Sequence, residues 1–214
     1  MKQSLAELRI EYSRSELSKA GVDPDPLKQF QRWLHEAIEA ELPEPNAMSL
    51  ATAKADGGPT VRAVLLKGLE AGGFVFFTNY LSDKGTQLAA NSEAALLFLW
   101  LELERQVRIE GRVNVIRFEE SEAYFRTRPR SSQLGALASQ QSRVVESRRL
   151  LEQRFEELDR RYAGVEIPMP AHWGGYRLVP TLLEFWQGRP SRLHDRLRYR
   201  LQPDGDWLLE RLEP

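Results

Sequence analysis

The stretch Gln106-Val-Arg-Ile-Glu-Gly-Arg-Val-Asn-Val115 alternates polar and apolar residues without a break. Successive side chains of a β-strand point to opposite faces, so this alternation is typical of an antiparallel strand with one face in the core and one in solvent. The odd-numbered positions from Val107 to Val115 are predicted to face the core. The stretch therefore indicates an antiparallel sheet.

The segments on either side of this strand are also rich in strand-forming residues. The strands they predict lie at residues 48–53, 60–67, 74–78, 94–100, 173–178, 182–187, 192–201 and 207–212. Residues 94–100 are almost all apolar, which predicts a strand buried on both faces. Short strands joined by tight turns such as Gly57-Gly58 favour a closed barrel over a doubly wound sheet.

Helices are predicted before, between and after these strands. Asp25 and Pro26 predict the N-cap and first position of a helix over residues 26–42, and Ser82 predicts the N-cap of a helix that ends near residue 91. Further helices are predicted at residues 1–12, 118–127, 131–139 and 148–162. The predicted fold class is α+β, mainly β: one domain, residues 1–214, in which a β-barrel is surrounded by peripheral helices.

Composition limits the functions that the chain can have. The 30 Lys and Arg residues nearly balance the 31 Asp and Glu residues, which argues against a nucleic-acid partner. Any cluster of cations is therefore local and points to a small anionic ligand. The sequence has no Cys, which excludes disulfides, thiolate metal sites and cysteine nucleophiles.

The sequence also lacks several other functional signals. The three His residues have no metal-ligand spacing, so no metal site is predicted. There is no P-loop, no Gly-x-Ser-x-Gly elbow and no dinucleotide-binding glycine motif after a strand. The charged start, together with the absence of a run of about 18 apolar residues, predicts a cytoplasmic protein without a membrane span.

The stretch from Glu184 to Arg196 is the strongest candidate for anion binding. If the chain is extended after Pro190, Arg192, His194 and Arg196 share one face, and these cations repel one another unless an anion lies among them. Arg is also well shaped for bidentate contacts with phosphate or carboxylate. A solvated basic edge strand is the alternative, and the spacing alone does not decide between the two.

Three further clusters could bind anions. Ser82-Asp-Lys84 stands at a predicted helix start, where free N–H groups favour phosphate, although most such Ser residues are plain N-caps. Arg62 and Lys67 bracket an apolar strand and should point to opposite faces, unless a bulge or the strand end intervenes. The last cluster is Arg128-Pro-Arg-Ser-Ser132. Together the clusters suggest more than one phosphate.

Several segments spaced along the chain form a recognisable series. They are Arg62-Ala-Val-Leu-Leu-Lys67, Phe76-Phe-Thr-Asn79 with Ser82 and Lys84, Leu103-Glu-Arg-Gln-Val107, Tyr124-Phe with Arg128-Pro-Arg and Ser132-Gln, Gln141-Ser142, Trp173-Gly-Gly-Tyr176, Glu184-Phe-Trp-Gln-Gly and Arg192-Leu-His-Asp-Arg196. In this order they resemble the pyridoxine (pyridoxamine) 5′-phosphate oxidase family. The resemblance runs from about Leu8 to Pro214.

The resemblance implies a homodimer of split β-barrels that binds FMN at the subunit interface, where the C-terminal strands of residues 170–214 complete the site. The flavin contacts that it implies, some of them from the partner chain, are Arg62, Ala63, Val64, Leu65, Leu66, Lys67, Phe77, Thr78, Ser82, Lys84, Gln106, Gln141, Ser142, Trp186 and Arg196. The substrate contacts that it implies are Arg9, Ile10, Glu11, Tyr12, Lys67, Tyr124, Arg128, Ser132, Arg192, Leu193 and His194. Arg192 and His194 would be the catalytic residues, and a mobile N-terminal segment, residues 1–20, would close over the site.

The reaction that the resemblance implies is the oxidation of pyridoxine 5′-phosphate and pyridoxamine 5′-phosphate to pyridoxal 5′-phosphate, with hydride transfer from C4′ to FMN and O2 as the final acceptor. A non-catalytic carrier of FMN or pyridoxal phosphate and a related split-barrel flavin reductase are the alternatives, and the complete set of substrate residues argues against both. Asp83 stands where some relatives have an Arg. We expect it to face solvent, to leave Lys84 and Arg62 as the phosphate partners, and to lower the affinity for FMN.

Overall fold

The computed structural model describes residue 4 and residues 11–214. The strands in that part of the chain are β1 Ala47–Ala53, β2 Pro59–Leu65, β3 Gly68–Glu70, β4 Gly73–Asn79, β5 Glu93–Trp100, β6 Arg105–Val115, β7 Trp173–Gln187, β8 Asp195–Leu201 and β9 Trp207–Leu212. The α-helices there are α1 Pro26–Glu39, α2 Asp83–Ala90, α3 Phe118–Thr127, α4 Arg130–Ala138 and α5 Arg148–Arg161. The helix predicted at residues 1–12 lies almost wholly outside the described residues.

The strands form one sheet in the order β2-β1-β5-β6-β7-β4-β3, and β8 and β9 follow from β7. β7 pairs with two strands in succession, both antiparallel. Its first part pairs with β4, from Trp173 opposite Asn79 to Leu178 opposite Phe74. Its second part, residues 182–187, pairs with β8, residues 195–200. This long strand therefore carries both Trp173 and Trp186, which belong to the two groups of residues described below.

The chain folds as two compact units, each assembled from separate stretches of sequence. One contains the described residues up to Leu50, Ala95–Gly111 and Pro180–Pro214. Its core is aromatic: the ring centroids of Phe30 and Phe98 lie 4.8 Å apart, and those of Trp33 and Phe185 lie 5.1 Å apart. The other contains Ala51–Ala94 and Arg112–Val179, and its core includes a cluster of Phe125, Leu134, Ile167 and Trp173.

Local sequence signals place the helix starts correctly. The Asp25 side chain accepts a hydrogen bond from the Leu27 N–H at 2.8 Å, and Pro26 is the first residue of α1. The Ser82 side chain accepts from the Gly85 N–H at 3.3 Å and caps α2. The bounds predicted for α3 agree with the structure, whereas α1 ends at Glu39 and not at residue 42.

Several strand predictions were wrong in part. The two strands predicted at residues 173–178 and 182–187 are one strand, because Pro180 lies between the stretches that pair with β4 and with β8. β5 is not buried on both faces, since Leu99 is 53% exposed. Val115 is exposed because it ends β6, although the inward positions before it are buried. The strand predicted at residues 192–201 begins at Asp195, because residues 190–192 form a 3-10 turn.

A glycine on α2 provides a test of close packing behind the pocket described below. A Cβ at Gly85 would lie 2.2 Å from the carbonyl oxygen of Tyr80, and backbone atoms cannot move aside as a flexible side chain can. We expect Gly85→Ala to lower the free energy of unfolding by about 1–3 kcal/mol, measured by urea denaturation. The matched control is Gly135→Ala on α4, where an added Cβ meets no atom within 4 Å. The control should gain up to about 1 kcal/mol of stability, so equal effects of the two substitutions would contradict the packing argument.

Candidate cofactor and substrate site

A cavity of about 720 Å³ lies within the unit that contains β2, β4 and α2. Many of the predicted contacts line it: Arg62, Ala63, Val64, Leu65, Lys67, Phe77, Thr78, Lys84, Tyr124, Arg128, Gln141 and Ser142. We call it the cation pocket because it contains four basic residues from that set. Leu66 and Ser82 do not line it, since Leu66 is buried and Ser82 is the cap of α2.

Arg62 is held in place by neutral oxygen atoms. Its Nη1 donates to Oγ1 of Thr52 at 2.5 Å, and its Nη2 donates to Oγ1 of Thr60 at 2.7 Å. Nη2 also donates to Oε1 of Gln87 at 3.2 Å. Burial lowers the pKa of Arg62, and the carboxylate of Asp83 partly opposes this change. These contacts fix the guanidinium without neutralising its charge.

Gln87 connects this network, and sequence reasoning missed it. Its Oε1 accepts from Oγ1 of Thr52 at 2.6 Å and from Oγ1 of Thr60 at 2.7 Å, in addition to Arg62. A signal was present, because Gln87 follows Lys84 by three residues on α2 and so lies on the same helix face. Thr52 and Thr60 stand on neighbouring strands, and no local pattern indicates that they meet.

Lys84 is the second cation of the pocket and is only 9% exposed. Its Nζ donates to Oγ1 of Thr78 at 3.1 Å, to Oε1 of Gln141 at 3.0 Å and to Oγ of Ser82 at 3.4 Å. Burial lowers the pKa of Lys84, the nearby charge of Arg62 lowers it further, and Asp83 opposes both. Two cations held by neutral oxygens favour the entry of an anion.

Asp83 is exposed, as predicted, but it also lies at the edge of the cation pocket. Its backbone N–H donates to Oγ of Ser142 at 3.2 Å. Its carboxylate favours the charged forms of Arg62 and Lys84, as their pKa values show. The residue therefore weakens the positive field at the pocket entrance.

Arg62 and Lys67 line the same cavity although they are five residues apart. Strand β2 ends at Leu65, and the Lys67 N–H donates to the carbonyl of Val75 at 2.8 Å. Strict alternation therefore stops before Lys67. This is the strand end that the sequence argument required for both side chains to meet one ligand.

Arg128 lies beside a stack of aromatic rings. The Phe77 ring stacks on Tyr124 at 3.9 Å and on Trp173 at 5.3 Å, measured between centroids. The Arg128 guanidinium carbon is 4.7 Å from the centroid of Trp173, and Nη1 of Arg128 is buried without a hydrogen-bond partner among the described residues. Burial also lowers the pKa of Arg128. An unsatisfied guanidinium N–H at a cavity wall fits an anionic ligand that the protein alone does not supply.

A second cavity, of about 420 Å³, adjoins this arginine. Ser132 lines it together with Arg128, Phe77 and Trp173, which also line the cation pocket. The predicted substrate residues Lys67, Tyr124, Arg128 and Ser132 are thus gathered at two cavities that share walls. Trp173 was not predicted as a site residue, although it was part of the Trp173-Gly-Gly-Tyr176 segment.

The other unit contains a second group, which we call the C-terminal cluster: the predicted residues Tyr12, Trp186, His194 and Arg196, together with Glu184, which was not predicted as a contact. Nε of Arg196 donates to Oε1 of Glu184 at 2.7 Å, and Nη2 of Arg108 donates to Oε2 of Glu184 at 2.7 Å. Burial would raise the pKa of Glu184, but the hydrogen bonds and charges of Arg196 and Arg108 hold it below its usual value. Glu184 therefore orients Arg196 as a buried carboxylate.

His194 is held in one tautomer. Its Nδ1 accepts a hydrogen bond from the backbone N–H of Arg189 at 3.1 Å. Since a backbone N–H only donates, the neutral ring carries its proton on Nε2. Burial and then the charge of Arg192 lower the pKa of His194. The ring centroid lies 4.6 Å from that of Trp186 and 5.7 Å from that of Tyr12.

The predicted shared face of Arg192, His194 and Arg196 was wrong. Ser191 and Arg192 have φ values of 58° and 60°, so the chain turns before β8 begins and the alternation does not apply. Leu193, a predicted substrate contact, is 70% exposed. His194 and Arg196 still belong to one cluster through Trp186, which pairs with Arg196 across β7 and β8.

The remaining predicted residues lie in several places. Arg9 and Ile10 lie outside the described residues. Glu11 is exposed, whereas Tyr12 meets Trp186 edge-on, with 5.7 Å between ring centroids. Gln106 is partly buried on β6, in the unit of the C-terminal cluster.

The fold and the matched residue ranges assign the chain to a family of split-barrel oxidases. Residues 34–162 match the family model described as pyridoxamine 5′-phosphate oxidase, and residues 173–214 match the pyridoxine 5′-phosphate oxidase C-terminal dimerisation region. The chain belongs to the pyridoxamine 5′-phosphate oxidase family. The predicted family and fold class, a mainly β split barrel with peripheral helices, are confirmed.

Individual relatives agree with this assignment. Pyridoxine/pyridoxamine 5′-phosphate oxidase of Cupriavidus necator is 61% identical over 210 residues, covering 98% of this chain and 99% of the relative. The protein of the same name from Salinibacter ruber is 60% identical over 212 residues, with 98% and 99% covered.

Solved structures give the same fold. PhzG from Burkholderia lata, in complex with tetrahydrophenazine-1-carboxylic acid, has a TM-score of 0.88 at 32% identity and covers 94% of this chain and 100% of its own. A pyridoxamine 5′-phosphate oxidase-related, FMN binding protein from Nostoc punctiforme has a TM-score of 0.70 at 16% identity, over 86% of this chain and 97% of its own. In the described residues, no helix is long and apolar enough to cross a bilayer.

The buried carboxylate of the C-terminal cluster predicts a pH-dependent stability. Because the pKa of Glu184 is lowered in the folded chain, its contribution is present above its usual value of 4.5 and is lost as the pH falls through the folded value. We expect Glu184→Gln to cost about 1–3 kcal/mol near pH 7 and less near pH 3, measured by urea denaturation. The control is Glu156→Gln at an exposed position of α5, which should cost less than about 0.5 kcal/mol. A cost for Glu184→Gln that does not depend on pH would contradict this assignment.

The tautomer of His194 can be tested by nitrogen NMR. The chain has three His residues, so loss of one set of signals in His194→Gln assigns the ring. We expect Nδ1 to show the shift of an unprotonated nitrogen and Nε2 that of a protonated one above pH 6.5, with titration below this usual value. The opposite tautomer, or titration above that value, would mean that the Arg189 N–H does not fix the ring.

Proposed function

We propose that this chain is an FMN-dependent oxidase that converts pyridoxine 5′-phosphate and pyridoxamine 5′-phosphate to pyridoxal 5′-phosphate, with O2 as electron acceptor. It would act as a homodimer in the cytoplasm. The observation that carries the proposal is the grouping of Arg62, Lys84 and Arg128 around one cavity, where Nη1 of Arg128 has no hydrogen-bond partner among the described residues. The names of relatives that are 56–61% identical over nearly the whole chain support the same reaction.

The cation pocket fits the phosphate of FMN. A phosphate monoester carries about −1.5 to −2 charges at pH 7, which Arg62 and Lys84 match. Oγ1 of Thr78 and the amide of Gln141 already hold Lys84 in position, so ligand binding requires little rearrangement. The run Ala63, Val64 and Leu65 along β2 gives the isoalloxazine ring a partly apolar wall. FMN would supply the redox chemistry when bound, as the acceptor of a hydride from C4′ of the substrate and the donor of electrons to O2.

Arg128 fits the phosphate of the substrate. Its guanidinium is desolvated and oriented by Trp173, so it can bind a phosphate with more than one N–H group. Lys67, Tyr124 and Ser132 line the same two cavities and can share the charge. The phosphate would thereby fix one end of the substrate, which leaves the pyridine ring to be oriented by other residues.

The C-terminal cluster would orient the pyridine ring and complete the flavin site, in part across the dimer interface. His194 would present its Nε2–H to the ring, because Nδ1 is occupied by Arg189. Arg192 would contribute a cation beside it, and Glu184 would hold Arg196 ready for the flavin. The match of residues 173–214 to a dimerisation region supports the homodimer. These residues bind, orient and exclude water, and no nucleophile of the chain is required.

The assay for this function is formation of the aldehyde from pyridoxine 5′-phosphate in air by the purified yellow protein. We expect product with uptake of O2, and no product when FMN is removed. A yellow protein that forms no aldehyde from either phosphorylated substrate would contradict the oxidase function and favour a carrier.

Arg128 provides a variant that separates substrate binding from flavin binding. We expect Arg128→Ala to raise KM for pyridoxine 5′-phosphate by roughly 10- to 100-fold, the range for loss of charge-assisted hydrogen bonds. The flavin absorbance should remain that of the wild type. Arg130→Ala is the matched control, because Arg130 lies two residues away, is exposed and pairs with Asp159. If Arg128→Ala lost FMN with an unchanged KM, Arg128 would belong to the flavin phosphate instead.

A further inference from the structure

Glu104 fastens the N-terminal segment immediately after Tyr12. Its Oε2 accepts hydrogen bonds from two successive backbone N–H groups, those of Ser13 and Arg14, each at 3.0 Å. We propose that Glu104 is a positioning residue that holds Tyr12 against His194 and Trp186. The proposal rests on the proposed function, in which these two residues contact substrate and flavin.

The rest of the segment is fastened at later points. Oδ2 of Asp195 accepts from the Leu17 N–H at 3.0 Å, and Nη1 of Arg189 donates to the carbonyl of Ser15 at 3.2 Å. Lys19 donates to the carbonyl of Leu209 at 2.9 Å. None of these contacts touches residue 13 or 14. Among the hydrogen bonds that the structure gives, Glu104 therefore acts closest to Tyr12 and sets the direction in which the chain leaves it.

The backbone of Glu104 is itself in an uncommon conformation. Its φ and ψ are 54° and 39°, the left-handed region, which is unfavourable for a residue with a Cβ. Gly or Asn would suit this backbone better, but neither side chain could reach the two N–H groups as Glu does. The carbonyl of Glu104 also accepts from the Gly188 N–H at 2.8 Å. We call the two hydrogen bonds from Ser13 and Arg14 to the Glu104 carboxylate the Glu104 clamp. The clamp explains why Glu stands at a position where the backbone conformation favours another residue.

Gly188 shapes the surface on which Tyr12 rests. A Cβ at Gly188 would lie 2.8 Å from Cβ and Cγ of Tyr12 and 3.0 Å from Cβ of Glu104. Tyr12 therefore packs directly on the backbone of Gly188. Gly188 is the residue that follows β7, the strand that carries Trp186. With the Glu104 clamp on one side and Gly188 beneath it, the phenol ring has little freedom to leave the two neighbouring rings.

This geometry predicts how the clamp acts on the reaction. Glu104 contacts backbone groups, so side-chain changes at Ser13 or Arg14 leave it intact. Loss of the carboxylate would free the end of the segment and weaken the contact of Tyr12 with a bound substrate. The effect falls on substrate binding and much less on turnover, because His194 and Trp186 remain held by other contacts.

The test compares Glu104→Ala, Glu104→Gly and Glu104→Gln. The Ala and Gly variants remove the acceptor, and Gly also relieves the left-handed backbone, so it folds if Ala does not. We expect both to raise KM for pyridoxine 5′-phosphate roughly tenfold, because loss of the two hydrogen bonds to the carboxylate loosens Tyr12, with kcat within about twofold and flavin content unchanged. Glu104→Gln keeps an acceptor oxygen and should restore most of the affinity. Glu102→Ala, at an exposed position of the same turn, is the matched control.

A second readout does not depend on turnover. Arg14 is exposed, and its N–H is one of the two that Glu104 binds, so trypsin cleavage after Arg14 reports release of the segment. Cleavage followed by mass spectrometry should be faster in Glu104→Ala and Glu104→Gly than in wild type, Glu104→Gln and Glu102→Ala. Unchanged cleavage in the Gly variant would overturn the clamp, and so would a KM in Glu104→Gln as high as in Glu104→Ala. If no variant and no wild type oxidised the substrate, the proposed function would fail, while the cleavage rates would still decide the clamp.

Discussion

The repulsion between two partly buried cations governs the arrangement of the cation pocket. Arg62 and Lys84 are close enough for the charge of Arg62 to lower the pKa of Lys84. The groups that hold them are hydroxyl and amide oxygens from Thr52, Thr78 and other neutral residues, which fix geometry without removing charge. The carboxylate in this region, Asp83, stands at the exposed edge. The pocket is therefore preorganised for an anion, and strands, helix start and polar network are all placed to keep it so.

The C-terminal cluster differs from the cation pocket, because its arginines pair with a buried carboxylate. Glu184 is 3% exposed and accepts hydrogen bonds from two arginines, so its negative charge is balanced within the protein. His194 is likewise committed at Nδ1. One group of residues thus retains positive charge for a ligand, while the other uses ion pairing to set directions. This division agrees with flavin chemistry, in which the protein contributes binding and orientation and the cofactor contributes the redox step.

Local signals in the sequence were sufficient for much of this fold. The caps Asp25 and Ser82 fixed two helix starts, because side-chain capping depends on residues a few positions away. The resemblance also gathered Arg62, Lys84 and Gln141 correctly at one cavity. Gln87 was missed because its role depends on Thr52 and Thr60 from two neighbouring strands. The turn at Ser191 and Arg192 was missed because positive φ values at non-glycine residues cannot be detected from an alternating pattern of side chains. Residues 179–181 were left out of the predicted strands, although β7 continues through Pro180 as it exchanges pairing partners.

The neutral lining of the cation pocket also affects the stability of the folded chain, on which the amount of protein in a cell depends. Without an anion, the folded chain carries the electrostatic cost of two neighbouring cations, a cost that the expanded unfolded chain largely avoids. A phosphate-bearing ligand that binds the folded chain alone removes that cost and adds RT ln(1 + [L]/Kd) to the stability. Folding and ligand supply are thereby linked. If the chain binds such a ligand, scarcity of the ligand would expose a larger share of newly made chains to proteolysis, and the abundance of the protein would follow the ligand concentration.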